Sequence, residues 1–436
     1  MKVEKKELEK SQIELTVELS FDEFKPYIEK GAVIVSQEVK VEGFRLGKVP
    51  FDILKQKIGE MTILEEAARV AISKTLDKVI KDNIEKEVIG QPKIDIIKLA
   101  PNNPLEYKVV LAILPETKLG EYKDLKIKQK KIEIGDAEVE KMTNDLREMR
   151  AKEVASNDAI GETDKVLVSI QMFLDKVPIE GGQSQDTAVI VDKDYIVPGF
   201  GKKLIGAKKG EEREFQLPYP KDHHMKNIAG KMVDFKVKVK DVFKRELPEL
   251  NDEFALGFGV KKIDELKINI KKSLEDQKEK ENIQIAEREM LEKIIEKARF
   301  GDIPQVLIEH ESNTMMAEIK QGIEGQGGKF EDYLASIGKS AEQMRLDVLP
   351  EAIKRVKTSL AIKEIADQEK IKVEEKDLEK HIEEMKKYYS SASEQEPGQR
   401  ENVIKQLDSP QYRDYVYNVL SSRKVIDKLR EWNIGE

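Results

Sequence analysis

The sequence predicts a multidomain α+β protein: an N-terminal α+β domain, a β-rich α+β domain in the middle and an elongated all-α C-terminal body. Three observations lead to this prediction. The 436 residues suffice for two to four domains of ordinary size. Strand-like segments occur before residue 114 and again between about 160 and 245. Beyond Pro248 the apolar residues recur every three or four positions, as in amphipathic helices.

Composition narrows the classes of function. Charged residues make up 37% and apolar residues 39%, which favours long solvated helices and several small cores. The 77 basic and 85 acidic residues give a net charge of −8, so the chain is not a dedicated nucleic-acid binder and any contact with RNA must be local. Cysteine is absent, which excludes disulfides and thiolate metal sites.

The chain starts with charged residues and no apolar run follows them, so we expect no secretory signal peptide. No segment approaches 18 consecutive apolar residues, and we therefore expect no membrane span and no membrane partner.

The first domain is predicted to span residues 1–114. It opens with a half-buried strand at 11–19, whose apolar positions are Ile13, Leu15, Val17 and Leu19. Ser20 and Glu23 form a capping-box pattern, which predicts a helix to about Val41. The remaining elements follow in order: a turn at 43–50, a helix from Pro50, a longer helix at 60–87, and strands at 93–99 and 105–114.

Residues 115–150 are predicted as a connector with a charged strand at 125–134 and a helix from Asp136. The second domain, 151–246, is interrupted by Gly-Gly, Pro-Gly and Pro-Tyr-Pro segments that are typical of turns. Its predicted strands are 165–173, 187–191, 211–217 and 232–243.

The helical body is predicted to span 247–436. A glycine-rich break is expected at 322–328 and a polar loop at 390–400, and Pro350 should kink or start a helix. Three apolar stripes are predicted: Leu346, Leu349, Ile353, Val356, Leu360; Leu378, Ile382, Met385, Tyr389; and Tyr412, Tyr415, Val419, Ile426, Leu429.

The turn between the first two helices carries the most specific motif, Gly43-Phe44-Arg45-Leu46-Gly47-Lys48-Val49-Pro50. Its glycines permit a tight turn with positive φ, which would direct Phe44, Arg45 and Lys48 outward together. An exposed aromatic ring between cations suits an acidic surface with a small apolar pocket. From the residues alone, an ordinary helix–helix turn with solvated charges remains the alternative.

This segment resembles the signature loop of trigger factors, Gly-Phe-Arg-Lys-Gly-Lys/Arg-Val/Ile-Pro, at seven of eight positions. The departure is Leu46, where the family usually has lysine. The resemblance covers the whole chain in the family's order, including the junction Glu246-Leu247-Pro248-Glu249-Leu250. It implies an elongated fold with two helical arms, and docking on the large ribosomal subunit beside the exit tunnel through Gly43, Phe44, Arg45, Leu46, Gly47, Lys48 and Pro50.

The middle domain resembles FKBP-type prolyl isomerases at three segments: 179–182, 196–200 and 206–211. The resemblance implies an apolar pocket that desolvates the amide and favours its twisted state, against a barrier of about 18–20 kcal/mol. The implied pocket residues are Phe200, Phe235, Ile196, Val197, Ile179, Ile170 and His223. Ile170 and Ile179 replace the usual aromatics and His223 the usual tyrosine, so the activity is expected to be weak, and a spacer or binding role remains the alternative.

No metal site and no cofactor are expected. His223-His224 lacks further ligands at a fixed spacing, and the glycine-rich segment 322–329 fails the phosphate-loop pattern at Ile323 and Phe330, which predicts that ATP is not used. Met315, Met316, Met344 and Met385 are candidate client-binding residues because methionine adapts its shape to varied partners.

The sequence therefore predicts a cytoplasmic, ATP-independent chaperone that binds the ribosome and nascent or unfolded chains and has prolyl isomerase activity. A homodimer of the free protein remains open. Two alternatives also remain: an enzyme that is primarily a prolyl isomerase, and an exported foldase of similar build.

Overall fold

The computed structural model describes residues 1–129, 131–221, 228–391 and 397–435. Two compact units are present. The first consists of Met1–Ile127, Glu287–Gly322 and Glu342–Glu436, and the second of Lys128–Ala286 and Ile323–Ala341. Across the described ranges, no helix combines the length and the apolar character that crossing a membrane requires.

An antiparallel four-stranded sheet, in the order β1-β2-β4-β3, forms one side of the N-terminal region. Its strands are β1 Lys2–Leu8, β2 Gln12–Leu19, β3 Val88–Lys98 and β4 Leu105–Ile113. The predicted alternation in β2 is confirmed, because Ile13, Leu15, Val17 and Leu19 are all buried. The charged strand β1 was not predicted.

Three helices cover the buried face of this sheet: α1 Phe21–Glu38, α2 Phe51–Ile58 and α3 Glu60–Asn83. The capping box is confirmed, since Glu23 N donates to Ser20 Oγ at 3.4 Å and Ser20 N donates to Glu23 Oε2 at 3.0 Å. The predicted boundaries near Val41, Pro50 and residue 87 were off by one to four residues. α1 ends before an extended Val39, Pro50 is the N-cap of α2, and Ile84 after α3 is extended.

Helices α1 and α3 approach each other closely at Gly31. A Cβ atom at this position would lie 2.6 Å from the backbone nitrogen of Ala67, so only glycine fits without moving a helix. This contact fixes α1, and therefore the turn that follows it, on the domain core.

The connector contains less strand than predicted. The strand expected at 125–134 is reduced, in the described residues, to β6 Ile127–Lys128, after β5 Thr117–Lys118. The helix expected from Asp136 is confirmed as α4 Asp136–Met149.

The middle region folds into an antiparallel sheet in the order β10-β11-β8-β9, with β7 paired to β11. The strands are β7 Lys152–Ser156, β8 Lys165–Leu174, β9 Val177–Ile190, β10 Glu212–Pro218 and β11 Met232–Glu246, and a short 3-10 helix covers Gly201–Leu204. β9 begins ten residues before the predicted strand at 187–191. At one edge of the domain, the buried carboxylate of Asp164 accepts hydrogen bonds from Gly161 N at 2.7 Å and Lys244 Nζ at 2.8 Å.

The C-terminal region is helical, apart from the two-residue strands β12 Arg299–Phe300 and β13 Ile434–Gly435. The helices are α5 Asp252–Leu256, α6 Ile263–Lys297, α7 Gln305–Glu324, α8 Phe330–Ser336, α9 Ala341–Gln368, α10 Glu375–Ser391, α11 Pro397–Leu407 and α12 Pro410–Asn433. Pro350 does not start a helix, since α9 begins nine residues earlier. The predicted polar loop at 390–400 was too wide, because α11 begins at Pro397. The glycine-rich break lies between α7 and α8, but it starts three residues after the predicted position 322, because α7 continues to Glu324.

The apolar stripes are only partly buried. In α9, Val356 and Leu360 are buried but Leu346 is 61% exposed. In α10, Leu378 and Ile382 pack in a small core against Val416 of α12. The third predicted stripe is correct only in part. Tyr412 and Leu429 face the core, but Tyr415 and Val419 are exposed, and the remaining core residues of α12 are Val416, Leu420 and Val425.

Candidate functional sites

The loop at 43–50, here called the docking loop, connects α1 to α2 and is held at its base by Ser36. Gly47 N donates to the Ser36 carbonyl at 2.8 Å, and Lys48 N donates to the Arg45 carbonyl at 3.0 Å. Gly43 and Gly47 have φ angles of +86° and +77°, which side-chain-bearing residues rarely adopt. The two glycines therefore allow a tight protrusion whose conformation is set by backbone hydrogen bonds.

The side chains of the docking loop are exposed to solvent except that of Val49, which is half-buried against the domain core. Phe44 is 41% exposed and Leu46 is 56% exposed, and Arg45, Lys48 and Pro50 are also exposed. Among the described residues, Arg45 and Lys48 form no ion pair with any other side chain. The loop thus offers two uncompensated cations beside two apolar side chains.

A groove of about 500 Å³, here called the α1–α2 groove, adjoins the docking loop. Its apolar lining includes Ile28, Ala32, Val33, Val49, Phe51 and Leu64. The sequence did not indicate this groove, because its residues come from four separate segments.

The middle domain contains a cluster of aromatic rings, here called the aromatic cluster. The ring centroids of Phe200, Phe215 and Phe235 are 5.4–5.7 Å apart, with Phe200 edge-on to the other two. Tyr219 stacks on Phe235 at 6.3 Å, and its hydroxyl donates to Met172 Sδ at 3.6 Å. Burial raises the pKa of Tyr219, so this phenol stays neutral across the physiological range.

Most of the predicted pocket residues lie in or around this cluster. Phe200, Phe235 and Val197 are almost fully buried, Ile170 and Ile179 are buried, and Ile196 is half-buried. They belong to one apolar core of the domain. His223 lies outside the described residues.

Sequence reasoning missed Phe215, Tyr219 and Met172. The register places Phe215 directly opposite Phe235 across β10 and β11, and Met172 opposite Phe235 on β8. Phe215 could have been found from its position in the alternating strand β10. Tyr219 follows the end of that strand, where no alternation identifies it.

The candidate client residues differ in accessibility. Met315 is buried at 8% exposure, whereas Met316, Met344 and Met385 are half-buried. A second cavity, of about 510 Å³, opens in the first unit and is lined by apolar and polar side chains together, among them Leu114, Leu307, Leu360, His310, Lys363 and Tyr417. In the described part of the chain, no cluster of His, Asp and Glu is arranged to hold a metal ion.

Three family descriptions match consecutive parts of the chain. "Bacterial trigger factor protein (TF)" matches residues 1–146, "FKBP-type peptidyl-prolyl cis-trans isomerase" residues 157–240, and "Bacterial trigger factor protein (TF) C-terminus" residues 262–431.

Whole-chain relatives agree with these matches. The trigger factor of Caldicellulosiruptor saccharolyticus is 33% identical over 393 residues, covering 89% of this chain and 88% of the relative. That of Halothermothrix orenii is 31% identical over 438 residues and 99% of each chain. A solved structure of a trigger factor chaperone is 24% identical, with a TM-score of 0.48 over 99% of both chains. Because the two relatives exceed 30% identity over most of both chains, the chain belongs to the trigger factor family of ribosome-associated chaperones with an FKBP-type prolyl isomerase domain.

Proposed function

We propose that the chain docks on the large ribosomal subunit near the exit tunnel through its docking loop. The observation that carries this proposal is the exposure of Phe44 together with the free cations Arg45 and Lys48 on a backbone fixed by Ser36. Arg45 suits bidentate pairing with a carboxylate or phosphate, and Lys48 acts as a second point charge. Phe44 would insert into an apolar pocket between the two ionic contacts.

Leu46 changes the proportion of ionic and apolar contacts that the docking loop can make. Where relatives usually carry lysine, this chain presents an apolar side chain that is 56% exposed. One exposed ion pair contributes only about 0.2–1 kcal/mol, so its loss leaves docking intact. We expect Leu46 to shift the interaction towards apolar contact and away from salt sensitivity.

Co-sedimentation with ribosomes tests the docking proposal. The wild-type chain should pellet with ribosomes, and Phe44→Ala/Arg45→Ala should remain in the supernatant. Ile97→Ala provides a matched control, because Ile97 is 52% exposed in the same domain and lies outside the loop. Equal pelleting of all three chains would overturn the proposal.

We further propose that the helical region holds nascent and unfolded polypeptides without ATP. Support comes from the half-buried Met316, Met344 and Met385 and from the cavity of about 510 Å³ with its mixed apolar and polar lining. Many weak contacts of this kind give about micromolar affinity, near −8 kcal/mol, from which a client leaves unaided. Suppression of aggregation in the absence of nucleotide tests this proposal, which a strict nucleotide requirement would contradict.

The middle domain is proposed to isomerise X-Pro bonds at the edge of the aromatic cluster. A proline ring would pack at the margin of the cluster of Phe200, Phe235 and Tyr219, whose rings are themselves buried, and Val197 and Ile196 would exclude water from the amide. Desolvation favours the twisted amide, in which resonance is lost, over the polar planar forms. No proton transfer and no covalent step are needed.

A prolyl-peptide turnover assay distinguishes the two functions of the chain. If Ile196→Asp abolishes turnover and leaves suppression of aggregation intact, both functions stand as proposed. If the wild type shows no turnover, the domain is a binding module. Turnover without ribosome binding would favour the alternative of a dedicated isomerase.

We place this activity in the cytoplasm, where ribosomes translate, and propose that the chain released from ribosomes forms a homodimer. Cell fractionation and sedimentation equilibrium test the two statements. Recovery outside the cytoplasm would favour an exported foldase.

A further inference from the structure

The α1–α2 groove has the dimensions and the polarity of a binding site. Its volume of about 500 Å³ lies within the range of 300–1,000 Å³ found for ligand pockets. The floor is formed by the buried side chains Ile28, Ala32 and Leu64, while Val33 at 50% and Phe51 at 37% remain exposed at the rim. Val33 and Phe51 are thus solvent-exposed apolar side chains at the rim of an apolar groove.

The charges around the groove cancel. Its charged lining residues are Lys25, Glu29, Lys55 and Glu60, and Lys55 Nζ lies 2.8 Å from Glu60 Oε2. A surface without excess positive charge does not attract the phosphates of RNA. Helical or extended protein segments with apolar anchors, in contrast, bind in such grooves.

The groove is continuous with the docking loop. Gly47 and Val49 belong to the loop and also line the groove, and both are tied to Ser36, through Gly47 N at 2.8 Å and Val49 N at 3.5 Å. Because the loop and the groove share Gly47, Val49 and this tie, a body held by the loop comes within reach of the groove.

We propose that the α1–α2 groove takes apolar side chains of a ribosomal protein segment next to the loop's own contact. This inference rests on the proposed docking function. It adds a second, uncharged contact surface to the charged contact made by the loop. The cations of the loop supply long-range attraction, which salt weakens, while the groove supplies burial of Val33 and Phe51, which salt does not weaken.

The ribosome affinities of three full-length variants test whether the groove contributes to docking. Val33→Gln removes the apolar rim without adding charge, and glutamine is a good helix former, so α1 is retained. Ile97→Gln is the matched control, since Ile97 is exposed to 52% in the same domain but lies on β3. Val33→Ile is the conservative variant. With purified ribosomes at high salt, Val33→Gln should bind about tenfold more weakly, which corresponds to about 1.4 kcal/mol, while both other variants bind as the wild type.

The possible outcomes distinguish a failure of the groove proposal from a failure of the loop proposal. If Val33→Gln binds as tightly as the wild type while Phe44→Ala/Arg45→Ala does not bind, the groove proposal is overturned and docking through the loop stands. If none of the variants changes affinity, docking through the loop fails as well. If Val33→Gln weakens suppression of aggregation in the absence of ribosomes and leaves ribosome affinity unchanged, the occupant is a client and the proposal is overturned. An unchanged unfolding midpoint of Val33→Gln confirms that each comparison concerns a folded protein.

Discussion

The docking loop and the aromatic cluster each depend on phenylalanine, but they place it in opposite environments. Phe44 is 41% exposed on a glycine-bounded turn, whereas Phe235 is 1% exposed between three other aromatic rings. The loop is tied at its base by hydrogen bonds to Ser36, and its side chains other than Val49 are exposed. In the cluster, the same side chains that would meet a substrate also form the domain core.

Because of this difference, binding and folding depend on different residues in the docking loop but on the same residues in the aromatic cluster. We expect the exposed side chains of the docking loop to be replaceable with little loss of stability, so that variants there report mainly on binding. A change in the aromatic cluster alters stability and activity together.

The largest expected effect is the loss of stability on shortening Phe235. Phe235→Ala should lower the free energy of unfolding of the middle domain by about 3–5 kcal/mol, because it removes a buried ring and leaves a cavity. Phe44→Ala should change stability by less than about 0.5 kcal/mol, as surface substitutions usually do. Urea denaturation monitored by near-UV circular dichroism measures both. Similar losses for the two variants would remove the distinction between the regions.

A smaller loss of stability is expected when helix α1, which carries Ser36 at the base of the docking loop, is displaced. In Gly31→Ala the added Cβ would meet the Ala67 backbone at 2.6 Å, so α1 must shift on α3 at a cost of about 1–3 kcal/mol. The docking loop should then lose ribosome affinity although none of its side chains has changed. Gly322→Ala serves as control, because no atom lies within 4 Å of the added Cβ, and it should leave affinity unchanged. Unaltered ribosome binding by Gly31→Ala would show that the loop does not depend on its base.

Local sequence patterns were sufficient to predict much of this architecture. The Ser20/Glu23 capping box and the alternation of β2 involve neighbouring residues, and both were confirmed. The exposure of Phe44 also agrees with the turn geometry that its flanking glycines predict.

Features that depend on distant partners were missed. Strand β1 is solvent-exposed on most positions of both faces, so it shows no alternation. In α12, a spacing of three to four residues fits two helix faces equally well, and packing against Leu378 and Ile382 of α10 selects the face that carries Val416. The alternation of β10 indicates the face on which Phe215 lies, but its position opposite Phe235 depends on strand register, which no short motif encodes.

Salt should affect the two regions differently. Raising salt from about 50 to 200 mM should weaken ribosome binding roughly tenfold if Arg45 and Lys48 each neutralise a phosphate. Prolyl-peptide turnover should not change, since the aromatic cluster contains no charged group. Titrations of both activities over the same salt series provide the measurement. Salt-independent ribosome binding would mean that the apolar contacts, and not the cations, dominate docking.

The smallest predicted effect is the most informative about Leu46. Leu46→Lys restores the residue usual in the family and adds a third cation to the docking loop. Affinity at low salt should rise by about 0.2–1 kcal/mol, the range of one exposed ion pair, and the dependence on salt should steepen by one charge. At high salt the gain should disappear, and Leu46→Lys should bind more weakly than the wild type because the apolar contact of Leu46 is lost. Leu46→Ala separates the two contributions: if it binds like the wild type at high salt, Leu46 makes no apolar contact and is merely a missing charge.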